Sequence, residues 1–430
     1  MASTSANNRP YYGWVIVAVA TLALLISNGL AIGGITIFYK PIQQDLVDSG
    51  AVSASNIQSV YGTAPALTIL LAGFLAPFAG ILLKRFGARV MMIAGCFILG
   101  SGLLIYSRAS SPGTVYLAHS MLGASLAFVG VVVCTVLISD WFTSYRGTAL
   151  GVVLLGTSLG GVIIPQVGAP IIGKFGWRFA MAAISLIVWL ILLPAVVLLV
   201  RNKPEEESPL PDFEREEEPP VHEGLSWDGV MLAEAAGSGS FWALALCAAL
   251  LFYAIFVVIQ QLVLYLQGPV IGFTLAEASV AVSTLWFSSL AGKLLFGWLS
   301  DRLSARRVMI VSSFLMFAAT LLLLRLNVST VYLFAIPFGL TYGGTFVLLQ
   351  LLVVEFFGRK DYSRILGAIT FIETIGGALG PFVTGRMADA NGGDYSRGFF
   401  AVMLVAAMSF LLVIVLNFLR PKTSGIRAAS

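Results

Sequence analysis

Apolar residues run along most of this chain without the polar interruptions of a one-faced soluble helix or an alternating strand. Runs of about 20 such residues have the length that an α-helix needs to cross hydrocarbon. They predict twelve spans. Six lie at 12–38, 54–83, 89–107, 114–141, 147–172 and 178–200, and six more at 240–266, 276–299, 307–326, 331–357, 364–388 and 396–419. Between the two sets stands a stretch dense in Pro, Glu and Asp, "NKPEEESPLPDFEREEEPP". Its composition reads as a flexible tether with room for a surface helix. The chain therefore divides into a six-helix half at 1–200, an acidic linker at 201–239 and a second six-helix half at 240–430. The expected fold class is an all-α membrane protein.

Composition points the same way. Of 430 residues, 58% are hydrophobic and 11% charged, where a soluble domain carries roughly 25% charged residues. The net charge of +4 bears on orientation more than on partners. With the N-terminus inside, inner segments hold 17 Lys and Arg and outer loops 7, and Lys293 completes the 25. The positive-inside rule then places both termini and the linker in the cytoplasm of a multi-pass cell-membrane protein, such as one of a bacterial inner membrane. The first ten residues lack the basic start of a signal peptide, and the apolar run after them is too long for a signal, so it is expected to remain as a span.

The same inventory excludes other chemistries. Cys96, Cys134 and Cys247 sit in apolar runs with no CxxC and no nearby His, which reads as small core residues. The chain has two histidines and no His/Glu/Asp cluster suited to a metal or a nucleophile. It has no GxxxxGK[ST] loop and no soluble domain to hold one. No enzyme, cofactor or nucleic-acid partner is expected; the surroundings are lipid, and the unit is a monomer.

The two halves repeat each other. "GILLKRFGAR" begins at Gly80 and "GWLSDRLSAR" at Gly297; "DWFTSYRGTALG" precedes the fifth span and "EFFGRKDYSRILG" the eleventh; "GTSLGGVIIP" aligns with "IETIGGALGP". The offset is about 216 residues, half the chain. Membrane proteins built from two such halves hold their ligand between them near the midplane, which indicates a transporter.

The repeated loops resemble the GxxxDRxGxR loop of the major facilitator superfamily. Lys84 stands in place of the acid in the first copy and Ser304 in place of the second glycine in the other, while Asp301, Arg302 and Arg306 keep the pattern. Within that superfamily the first span and its exit, "WFTSYRGTALGVVLLG" and "FGWRFAM" are similar to the monocarboxylate transporters. In that branch, and in the oxalate–formate exchangers, the eighth span carries an arginine, three residues and a glycine, the arginine pairing with the substrate carboxylate. "KLLFG" sets Lys293 at that place and Gly297 as the glycine. The resemblance also implies an aspartate where Ser289 stands and, in some members, a lysine near Gly33.

Lys293 is costly in its own right, since an isolated charge in hydrocarbon costs roughly 2.5–3.5 kcal/mol on insertion scales. It lies about 9 Å of helix rise from the inner end, close enough to snorkel. Helical side chains lean toward their N-terminus, however, which for this span is the outer end, so Lys293 leans to the midplane. Ser279, Ser283 and Trp286 share its face and make a polar stripe suited to a cavity. Glu373, in the eleventh span, leans toward the same depth. A carboxylate in apolar surroundings holds a proton more readily, and a neighbouring ammonium opposes this. The pair can therefore trade a proton against a substrate anion, or serve as a fixed ion pair between helices.

Asn28, Tyr61, Tyr253, Gln260, Gln261, Tyr342 and Gln350 are polar residues within spans that can bond a ligand oxygen or a neighbouring helix. His119 is expected at the outer surface, and Phe252, Phe256, Phe287 and Phe371 either shape a pocket or face lipid. Arg85 and Arg89 in the first basic loop, and Asp301, Arg302 and Arg306 in the second, are expected to latch the cytoplasmic ends; Asp140 with Arg146, and Glu355 with Arg364, are expected to do the same. The expected function is proton-coupled symport of a small monocarboxylate by alternating access. The rivals are an organic-anion antiporter, an exporter of amphipathic compounds and a transport-like membrane sensor.

Overall fold

The computed structural model describes residues 12–142, 145–202, 229–269 and 271–419. The bulk of the acidic linker, 203–228, lies outside the described residues. Among those described, eleven helical stretches are long and apolar enough to cross a membrane. The longest, α3 (Ile57–Tyr106), is two spans joined at Gly87, whose φ of 78° and ψ of 162° are not helical. Twelve crossings result. A side chain at that φ is strained, so glycine is what lets the chain turn there.

The first crossing is α1 (Gly13–Asn28), extended by a π-helical turn over Gly29–Gly33 and a 3₁₀ turn over Ile35–Phe38 into α2 (Tyr39–Asp48). The span predicted to end at residue 38 thus continues into an amphipathic helix with its own buried face of Tyr39, Ile42, Gln43 and Leu46. The fourth crossing starts as α4 (Pro112–Val129) under a Ser111–Thr114 capping box, breaks at Gly130 and continues as α5 (Val131–Trp141). The fifth is α6 (Arg146–Phe175); the sixth is α7 (Trp177–Ile187), a π turn and α8 (Leu193–Leu199). In the second half, the short α9 (Leu232–Ala236) leads into α10 (Gly239–Leu266), α11 (Leu275–Arg302), α12 (Ala305–Leu323), α13 (Val331–Phe357), α14 (Tyr362–Ala390) and α15 (Ser396–Phe418). The residues just before α10 are anchored: Val230 N–H donates to Phe357 O at 3.0 Å, and Leu232 N–H to Asp361 Oδ2 at 2.8 Å.

A smaller repeat appears inside the first half. Gly176, between the fifth and sixth crossings, has φ 79° and ψ 163°, nearly the geometry of Gly87 between the second and third. The two sequences are Arg-Phe-Gly-Ala-Arg at 85–89 and Lys-Phe-Gly-Trp-Arg at 174–178. Each closing arginine reaches the far end of the other unit: Arg89 Nη2 donates to Val197 O in α8, and Arg178 Nη2 donates to Ala109 O beyond α3 at 3.2 Å.

Lipid gives helices no hydrophobic reason to associate, so close packing of small residues and interhelical hydrogen bonds must hold the halves together. At the end away from the linker they do. A Cβ on Gly62 of α3 would lie 2.5 Å from Pro381 O of α14, and one on Gly385 would lie 2.8 Å from Gly62 Cα. Asp389 accepts the backbone N–H groups of Gln58 (2.9 Å) and Ser59 (2.7 Å), Tyr395 Oη donates to Gln58 Oε1 (2.7 Å), and Tyr39 Oη donates to Gln260 Oε1 (2.9 Å). Toward the linker end such close approaches give way to open space around several glycines and exposed side chains. Phe74, Phe78 and Ile81 of α3 are exposed, and Gly80, Gly147, Gly151 and Gly367 have open space where a Cβ would stand. The ties that seal the halves are thus gathered at the end away from the linker.

His119 corrects an expectation. It is fully buried rather than at the surface. Thr68 Oγ1 donates to His119 O and lies 2.9 Å from Nδ1, while Tyr106 Oη lies 3.1 Å from Nε2. With the Thr68 hydrogen committed to the carbonyl, Nδ1–H donates to Oγ1 and Nε2 accepts from Tyr106. The ring is a structural tie between α3 and α4.

Candidate functional site

Between the halves lies a cavity of about 180 Å³ with walls from both. The first half contributes Asn28, Ile32, Ile69, Leu126, Val131 and Thr157, and the second Phe252, Phe256, Lys293, Tyr342, Phe346 and Glu373. Four polar residues singled out in the sequence, Lys293, Glu373, Asn28 and Tyr342, meet here across the chain's midpoint. Phe252 and Phe256 supply apolar wall, whereas Phe287 and Phe371 are exposed.

Lys293 is half-buried on α11, and its Nζ crosses to α6 of the other half. It donates to Thr157 Oγ1 at 2.6 Å and to Leu154 O at 3.4 Å, and it stands 5.6 Å from the centre of the Phe346 ring. A short bond from a charged donor is among the stronger hydrogen bonds a protein makes. Glu373 has no hydrogen-bond or ion-pair partner among the described residues, and no ion pair joins it to Lys293. The permanent Lys293–Glu373 bridge considered from the sequence is therefore absent from this conformation. An acidic and a basic side chain share one cavity with no ion pair between them.

Other expectations fall elsewhere in the fold. Ser279, Ser283 and Trp286 do not line this cavity. Ser279 donates to Leu275 O in its own helix; Ser283 donates to Val162 O and accepts from Gln166 Nε2, both on α6. Trp286 fills the space over Gly161, where an added Cβ would lie 2.2 Å from the indole, and over Gly33, where it would lie 3.0 Å away. That position near Gly33, at about the place where some members of the resembling family carry a lysine, is thus occupied by an aromatic ring from the opposite half. Tyr61 and Gln260 sit in the sealed end: Tyr61 packs 4.9 Å from the Tyr39 ring, and Gln260 accepts from Tyr39. Gln261 Nε2 donates to Pro381 O at 2.8 Å. Ser289 is fully buried and outside the cavity lining.

The basic loops form a different set of contacts from the expected latches. Arg306 pairs with Glu355 at 2.8 Å, and Arg364 pairs weakly with Asp361 at 3.7 Å. Arg302 stacks on Trp298 at 4.1 Å and Arg85 on Phe86 at 5.3 Å, each within its own helix. Arg89 is tied to α8 and, through its N–H, to Asn202. Asp301, Asp140 and Arg146 form no ion pair among the described residues.

Thr157 is the residue that sequence reading missed. A threonine in "GTSLGG" looks like part of a small-residue packing strip, and its partner lies 136 positions away. One signal was available: the repeat aligns "GTSLGG" with "IETIGG", which sets Thr157 opposite Glu373, a residue already singled out.

The family model described as Major Facilitator Superfamily matches residues 21–285 and 268–429. The chain is 26% identical over 409 residues to the MFS transporter asaE of Aspergillus flavus, covering 93% of this chain and 86% of that one. It is 23% identical over 345 residues to monocarboxylate transporter 13 of Rattus norvegicus, covering 79% and 74%. Among solved structures it matches a bacterial homolog of the human lysosomal transporter Spinster with a TM-score of 0.73 and 16% identity, over 96% of this chain and 97% of that one.

Proposed function

We propose, for a chain that belongs to the Major Facilitator Superfamily and is a multi-pass membrane transporter, that it carries a small monocarboxylate together with a proton by alternating access. Lys293 is the carboxylate clamp and Glu373 the proton carrier. The observation that carries this reading is the meeting of these two residues in one cavity between the halves without an ion pair between them. A cation already neutralised by a permanent partner would have little to offer an anion, whereas the oxygens that Lys293 bonds are neutral. Relatives named as monocarboxylate transporters support the substrate class.

A substrate anion entering from the linker end meets Lys293 and Asn28, with its carbon body against Phe252, Phe256 and Phe346. Glu373 accepts a proton and so reduces the net charge that crosses the hydrocarbon. Closure of the linker end and opening of the sealed end complete the cycle, in a cell membrane with both termini and the linker cytoplasmic.

The test uses purified protein in liposomes with a panel of formate, oxalate, lactate, pyruvate and phenylpyruvate. At least one panel member is expected to bind and to be taken up under an inward proton gradient. Lys293→Ala abolishes that uptake, and Lys293→Arg keeps part of it. Wild-type uptake by the alanine variant, or no binding of any panel member, overturns the reading.

A further inference from the structure

The Lys293 ammonium is held from the opposite half of the molecule. Thr157 Oγ1 accepts from Nζ at 2.6 Å and donates its own hydrogen to Leu154 O, one turn back on α6, at 2.8 Å. A hydroxyl has one hydrogen to give. With it committed to Leu154, the lone pairs of Oγ1 are left to face the ammonium. Leu154 O also accepts from Nζ at 3.4 Å. An ammonium carries three donors and no acceptor, so α6 takes two and one is left over beside the cavity that both residues line.

We propose that Thr157 is a positioning residue. It sets the Lys293 ammonium against the cavity wall with one N–H presented to a substrate carboxylate, so the first half orients a clamp carried by the second. This rests on the reading of Lys293 given above. The internal repeat supplies the chemical reason for a threonine. Thr157 and Glu373 hold equivalent positions on α6 and α14, and both face the same cavity. A carboxylate at position 157 would bond Lys293 and cancel its charge. A hydroxyl holds the ammonium in place and leaves that charge to the substrate.

The experiment measures concentration-dependent uptake of the best-bound member of the carboxylate panel. Thr157→Val is expected to raise the apparent KM roughly tenfold or more, the scale of a lost hydrogen bond to a charged group, with the maximal rate near wild type. Thr157→Ser restores the KM. Thr157→Asp lowers uptake below Thr157→Val by pairing with Lys293. Thr284→Val is the control, since the Thr284 hydroxyl lies on α11 outside the cavity lining and donates only to Val280 O of its own helix; its KM stays at the wild-type value. If the valine variant does not reach the membrane, Thr157→Ala and Thr157→Ser carry the comparison, the alanine losing affinity and the serine keeping it. A wild-type KM for Thr157→Val beside an inactive Lys293→Ala overturns the positioning role and leaves the clamp standing. Wild-type uptake by Lys293→Ala removes both.

Discussion

Asp389 caps Gln58 across the boundary between the halves: its carboxylate accepts two backbone N–H groups in the first turn of α3 from the far end of α14. Helix N-termini present unpaired N–H groups and a partial positive charge, so a carboxylate there both bonds and complements them. Removing such a cap costs about 1–2 kcal/mol, and every 1.4 kcal/mol shifts a two-state equilibrium tenfold. Asp389→Ala should therefore loosen the sealed end several-fold. Val60, buried beside the cap, reports this as a cysteine in a background with the three native cysteines changed to serine. Its labelling by a hydrophilic maleimide should accelerate when Asp389 is replaced. Unchanged labelling would show that the seal rests on other contacts.

Glu373→Gln keeps the shape and polarity of the side chain but not its ionisation. Proton-driven accumulation should disappear, while counterflow of labelled against unlabelled substrate continues at a rate within a few-fold of wild type. A variant that fails to fold would instead assign Glu373 to structure, and one that still accumulates substrate under a pH gradient would move the proton elsewhere.

Gly33 and Gly161 together make the recess that the Trp286 ring fills. Placing at Gly33 the first-span lysine of some resembling transporters (Gly33→Lys) should therefore fail on its own, because overpacking of this kind costs about 1–3 kcal/mol or more. Pairing it with Trp286→Ala removes the ring but not Gly161 Cα, which a Cβ on Gly33 would meet at 2.8 Å, so the double variant should recover only part of the yield and monodispersity on size-exclusion chromatography. Equal behaviour of the single and double variants would mean that the ring and the glycine are not coupled.

The membrane crossings were legible because hydrocarbon demands long apolar helices, and that demand is written residue by residue. Predicted and observed bounds differ by a few residues at almost every crossing. The exceptions are informative. The run at 12–38 hides a π turn and a 3₁₀ turn and stops where a second helix begins, since hydropathy does not register a change of helical pitch. Lys293 and Glu373 were legible because a charge in an apolar run is conspicuous. Thr157 and His119 were not, because their roles depend on which face of a helix meets which neighbour. Ser283 and Trp286 show the same limit from the other side: they share a helical face with Lys293, yet their partners on α6 hold them away from the cavity.

The paired turns at Gly87 and Gly176 bear on how orientation is encoded. One five-residue pattern serves at opposite ends of the bundle, and each closing arginine is bonded to a backbone carbonyl of the other unit. Arg89 and Arg178 are thus part of the joinery of the helices, and a pattern that works equally well on either side carries no information about which compartment it faces. Lys84, exposed and without such a bond among the described residues, is free to act as a topological signal. Basic side chains take both roles in this chain, and bonding tells them apart.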